Sequence, residues 1–141
     1  MNEFINKFLA IIAGLIVGSI GMFVAQYIGH SIYPSPMSMN ANDPAQLDMY
    51  INEAPVMAIL FVAIAWAFGT WLGAFFTSLI ARSKRIFLGM IIGTLFFLGG
   101  LYNLYKISHP LWFWFVGLSV FFPSAYWGAW VGSRQKKEKQ V

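Results

Sequence analysis

Apolar and polar positions divide this chain into blocks. Four long apolar runs, 8–29, 55–81, 86–105 and 111–132, are separated by short polar stretches. Each run reaches the roughly 20 apolar residues that cross a bilayer. In lipid every backbone N–H and C=O must be bonded within the segment, so all four are expected to be helices. The expected fold is all-α, a four-transmembrane-helix bundle that makes one integral membrane domain of residues 1–141. The first run reads as a span. It exceeds the roughly 7–15 apolar residues of a signal peptide, and the large Phe23 spoils the small-x-small cleavage pattern before Ala25.

The polar stretch 31–54 carries a pattern of its own. Tyr33-Pro34-Ser35-Pro36 is stiff and extended, because each proline biases its predecessor away from helix. Asn42-Asp43-Pro44 reads as a helix start, with Asp43 as N-cap and Pro44 in the first position. Beyond it Leu47, Tyr50, Ile51 and Ala54 share one face, and Asp48 and Asn52 share another. The expectation is a short amphipathic helix, lying on the membrane surface or over the bundle. Its acidic face is expected to be solvated. Three carboxylates without a ligand-spaced loop make a poor cation site.

Charge supplies the orientation. Eight of the nine basic residues flank the runs at three places: Lys7; Arg82, Lys84 and Arg85; and Arg134, Lys136, Lys137 and Lys139 in the tail 133–141. Only Lys106 lies in the other loops. The positive-inside rule then puts both termini in the cytoplasm and 31–54 outside. Tyr27, Tyr33, Tyr102, Tyr105, Trp112 and Trp114 fall near the outer boundary and Trp127 and Trp130 near the inner one, as an aromatic belt does. Composition agrees with a lipid-covered protein. Hydrophobic residues make up 59% and charged residues 10%, against about 25% charged in soluble domains. No basic face runs along any element, which argues against a nucleic-acid partner. With no cysteine, disulfides, thiol catalysis and cysteine-ligated metals are excluded.

Glycine gives the sharpest pattern. All 13 glycines lie in the four runs, and each run carries a Gly-x-x-x-Gly pair: Gly14/Gly18, Gly69/Gly73, Gly89/Gly93 and Gly128/Gly132. Four-residue spacing puts both glycines on one helix face, where another backbone can approach closely. Tight packing within the chain is the expected use; the other is an interface with a second copy or a larger membrane protein. Trp71 and Trp130 follow two residues after the first glycine of their pairs, about 200° around the helix. They are expected to face lipid or a second subunit. The halves also resemble each other. Phe68-Gly-Thr-Trp-Leu-Gly73 is similar to Trp127-Gly-Ala-Trp-Val-Gly132, and Gly14-Leu-Ile-Val-Gly18 to Gly89-Met-Ile-Ile-Gly93. Duplication predicts two parallel helical-hairpin repeats about an axis along the membrane normal.

Candidate chemistry gathers at the outer ends. The glycine pairs fall toward the cytoplasmic half, so the bundle should be tight inside and looser outside. Gln26, His30, Asn103 and His109 all belong to the outer half and define an expected outward-facing vestibule. Interhelical hydrogen bonding is the expected use of Gln26 and Asn103, and an interfacial setting that of the histidines, although two imidazoles could hold a haem or a metal. No cofactor and no metal is expected. No Asp, Glu, Lys or Arg lies in the core of a run, which counts against a proton-coupled pump. Pro123 interrupts the fourth run and should kink it, with Ser119 and Ser124 available to satisfy the freed carbonyl. Nucleotide loops, catalytic triads, paired carboxylates and metalloprotease helices are all missing, so no enzyme is expected.

Several short motifs carry a resemblance: Gly29-His30 followed by Tyr33-Pro34, then Asn42-Asp43-Pro44, Ala65-Trp66-Ala67, Asn103, His109-Pro110 before Trp112-Phe113, and Phe122-Pro123-Ser124-Ala125. In these the chain resembles a group of small four-span bacterial membrane proteins of uncharacterised activity. The resemblance implies a bacterial inner-membrane protein and brings no activity with it. Two functions fit the whole pattern. One is an accessory or assembly subunit that works through helix packing. The other is a small dimeric transporter or channel with an outward-facing vestibule.

Overall fold

A computed structural model describes residues 2–40 and 42–138, with side chains as far as residue 135. Lys139, counted above in the basic tail, lies outside the described residues, as do the side chains of Lys136 and Lys137. The fold is all-helical: α1 (Glu3–Ile32), α2 (Pro44–Glu53), α3 (Val56–Ile80), α4 (Arg85–Lys106), α5 (Leu111–Ser119) and α6 (Phe121–Glu138). Three of these, α1, α3 and α4, are long and apolar enough to cross a membrane. Their surfaces are arranged inside out relative to a soluble protein. On α1 the buried positions include Ala10, Gly14, Gly18 and Gly21, while Phe8, Ile12, Ile16, Ile20 and Phe23 are exposed. Small residues inside and bulky apolar ones outside are what a lipid solvent selects.

The fourth apolar run is divided. Pro123 has no N–H to give the Ser119 carbonyl, and the helix breaks at Val120, between α5 and α6. The ladder resumes when the Ser124 N–H donates to the Val120 carbonyl at 3.2 Å. The serine hydroxyls do not relieve the break as expected. Ser119 Oγ donates to the Val116 carbonyl at 2.9 Å, and among the described residues the Ser124 hydroxyl makes no hydrogen bond.

The central helix is α3, which packs against α1, α4 and α6. The glycine pairs show how. A Cβ added at Gly18 would lie 2.7 Å from the Gly69 carbonyl, and one at Gly73 would lie 2.7 Å from the Gly14 carbonyl. The first two pairs therefore interlock, antiparallel, backbone on backbone. Across this seam Thr77 Oγ1 donates to the Ala10 carbonyl at 3.2 Å, in the space that a side chain at Gly14 would take.

Glycine use differs in the second half. Gly89 and Gly93 receive the methyl groups of Ala129 and Ala125. Gly128 and Gly132 turn instead to α3, where they press on the backbone carbonyls of Trp71 and Phe75. A strict repeat would have set Gly89/Gly93 against Gly128/Gly132. The asymmetry arises because α6 fills two grooves at once, and successive small positions on it serve α4 and α3. Trp71 is displaced from its expected place for the same reason. It faces away from Gly69 and Gly73, but toward α6, half-buried, its ring 6.2 Å from Trp127 and 5.6 Å from Phe75. Trp130 is half-buried too, under the Arg134 guanidinium 3.7 Å from its ring centroid.

Polar bonds lock one end of the bundle, where α1 begins, α3 turns into α4 and α6 ends. Asn6 is buried. Its amide nitrogen donates to the Ile80 carbonyl at 3.4 Å, and its oxygen accepts from the Arg82 N–H at 2.9 Å. Ser78 Oγ donates to the Arg85 carbonyl at 2.9 Å, and the Arg85 guanidinium reaches the carbonyls of Ala81 and Ser133. Of these, the Asn6 bond falls on the last carbonyl of α3, at Ile80, and one Arg85 bond on the carbonyl of Ala81 just beyond it.

Candidate functional site

The opposite end of the bundle carries α2, and it is built differently. The local sequence fixes α2 first. Asp43 Oδ1 accepts from the Ala45 N–H at 3.0 Å, and Gln46 returns a bond to Asp43 Oδ2 at 3.0 Å. Pro44 opens the helix without losing a bond, since its missing N–H would have had no partner there. Of the two places open to this amphipathic helix, it takes the one over the bundle. Ile51 is buried with Ile59, Trp66, Leu104, Phe113 and Phe121. Asp48, expected to be solvated, accepts from the Ser108 N–H at 3.3 Å and ties α2 to the α4–α5 connection.

Beneath α2 is a cavity of about 220 Å³. Leu47, Tyr50, Ile51 and Ala54 roof it. Gln26, Gly29, His30 and Tyr33 come from the end of α1, and Phe61 and Val62 from α3. Asn103, Ile107 and His109 close the side formed by α4 and its following turn. Gln26 and His30, and far from them in sequence Asn103 and His109, thus line one space. Trp66 makes the floor. Its ring is 5.4 Å from Phe121 and 5.6 Å from Phe113. Glycine makes room for this aromatic stack as well. A Cβ at Gly100 would lie 2.6 Å from the Phe121 ring, and one at Gly117 would lie 3.0 Å from Trp66.

The four polar residues differ in setting. His30 is exposed and stands at the rim. Gln26 and Asn103 are half-buried, and neither side chain makes a hydrogen bond within the described residues. Both amides were expected to bond across helices; instead they border an open space. His109 is half-buried, stacked on Phe113 with centroids 5.0 Å apart, and its Nδ1 lies 2.8 Å from the Ile107 carbonyl. In the neutral ring Nδ1–H donates there, which leaves Nε2 as an acceptor. Among the described residues no Asp, Glu, Lys or Arg lines the cavity. Among the described residues no group of three or more His, Cys, Asp or Glu could hold a metal ion.

Burial lowers the His109 pKa below the ordinary imidazole value of 6.5, against the raising effects of the Ile107 carbonyl and Asp48. A group whose folded pKa is depressed stabilises the fold above its unfolded pKa, and that contribution is lost as pH falls through the folded value. Thermal stability should therefore decline as pH drops below 6.5, and His109→Gln should flatten that decline. An unchanged slope in the variant would place the titration elsewhere.

Trp66 and Phe121 carry no motif that marks them as site residues. The available signal was position: Trp66 falls mid-run, away from both aromatic belts. No protein-family model, curated protein or solved structure matches the chain.

Proposed function

We propose that this is a four-span protein of a bacterial inner membrane with both termini in the cytoplasm, and that it acts as a small carrier whose outward-facing vestibule is the cavity beneath α2. The fourth crossing consists of α5 and α6 together. Val120 keeps helical angles (φ −76°, ψ −22°) across the break, and at 1.5 Å per residue the run 111–132 covers about 33 Å, enough for the hydrocarbon core. The observation that carries the functional reading is the convergence of Gln26 and Asn103, two amides without protein partners, on one roofed cavity. A binding site needs such free groups, aimed into the space that a ligand would fill. The path inward ends at Trp66, and below it α3 meets α1 and α6 backbone to backbone. That supports alternating access over an open pore.

The accessory-subunit reading draws on small size, the lack of charge within the spans and abundant packing surface, and only the last of these is open to comparison with the glycine contacts. Each pair is filled from within the chain, so a partner or second copy would have to dock on the outer belt of large side chains. Reconstitution discriminates between the two. Proteoliposomes should show protein-dependent flux of some member of a panel of small neutral solutes, reduced at least about tenfold in a Gln26→Ala/Asn103→Ala double variant. Flux equal to that of protein-free liposomes across the panel would overturn the carrier reading.

A further inference from the structure

We infer that the cavity beneath α2 takes an uncharged small molecule that both donates and accepts hydrogen bonds and carries an aromatic or otherwise flat apolar body. This rests on the binding role proposed above and adds the ligand class. Three features of the lining select it. Among the described residues no Asp, Glu, Lys or Arg borders the space. An ion entering would give up its water for walls with no countercharge, a loss that nothing there offsets. Gln26 and Asn103 reach in from α1 and α4, each with an amide NH2 and a carbonyl oxygen. A plain hydrocarbon would cover these groups and leave them unsatisfied, whereas a head with both a donor and an acceptor satisfies them. The remaining walls, Phe61, Val62, Trp66 and Tyr50, are apolar or aromatic and suit a flat ring. Burial also disfavours the charged form of His109 on that wall. A volume of about 220 Å³ falls below the range of about 300–1,000 Å³ for drug-sized ligands, so the molecule is small.

A matched series of probes tests the inference: 2-naphthamide, 2-naphthoate, 2-naphthylmethylammonium and naphthalene. Binding is read from the side-chain amide NMR signals of Gln26 and Asn103 in the full chain in nanodiscs, which partitioning of a probe into lipid does not move. The neutral amide should bind at least tenfold tighter than each of the other three. Gln26→Leu/Asn103→Leu, read on the Trp66 indole N–H signal, should abolish the preference for 2-naphthamide over naphthalene and still bind naphthalene. Ala58→Phe, which fills the cavity from α3, should remove binding of all four. A charged probe binding as tightly as the amide would overturn the ligand class and leave the binding role standing. Naphthalene binding equally well to the unmodified chain would overturn the hydrogen-bonding part. If no probe binds, both this inference and the binding role fail.

Discussion

Gly128→Ala is expected to unseat α6 from α3 and to cost about 3 kcal/mol, the upper part of the range for forcing an extra methyl into a packed core. The added Cβ would overlap the backbone carbonyl of Trp71. A flexible side chain could swing aside, but a carbonyl held in the α3 helix cannot, so the two helices must separate. Separation also disturbs Gly132 one turn on, because it presses on the Phe75 carbonyl in the same manner. The matched control is Gly99→Ala. Nothing lies within 4 Å of a Cβ there, and replacing a helical glycine removes a propensity penalty of up to about 1 kcal/mol. Thermal unfolding in one detergent should show a clear loss for Gly128→Ala, with Gly99→Ala unchanged or slightly raised. Equal stability of the two variants would mean that α6 does not dock on α3 through this pair.

Trp66→Ala is the second large effect expected. Trp66 is only 3% exposed and links the three-ring floor to the core under α2. Its loss removes both aromatic contacts and leaves a void that Gly100 and Gly117, having no side chains, cannot fill. Tryptophan-to-alanine changes in cores cost about 3–5 kcal/mol. The loss should be local to the end that carries α2. Hydrogen exchange should speed up in α2 and α5, while the seam of Gly14, Gly18, Gly69 and Gly73 keeps its protection. Uniform loosening, or none, would contradict a floor role for this ring.

Much of the helical layout was legible because lipid imposes a simple rule. The runs 55–81 and 86–105 match α3 and α4 to within a residue at each end, and α2 begins at Pro44 as its capping signal indicates. The division of 111–132 was legible only as a kink at Pro123, since a proline marks the bond that is lost and not the residue at which the chain turns. Partner choice among the glycines could not be read at all. Four identical spacings predict close approach, but which helix approaches which depends on the crossing geometry of all of them together. That is why Gly89 and Gly93 meet Ala129 and Ala125 while Gly128 and Gly132 meet α3.

The site divides along the same line. Sequence position alone put Gln26, His30, Asn103 and His109 toward one end of the helices, because residue number along a span is depth in the membrane. It also put every Gly-x-x-x-Gly pair in the other half or near the middle of its run. Only the tertiary structure decided that these four residues border a single cavity, that α2 roofs it and that Trp66 floors it. Only the structure left the two amides without partners. Hydropathy and spacing are properties of one helix at a time, whereas a cavity is a property of the gaps between helices, fixed when the whole bundle packs.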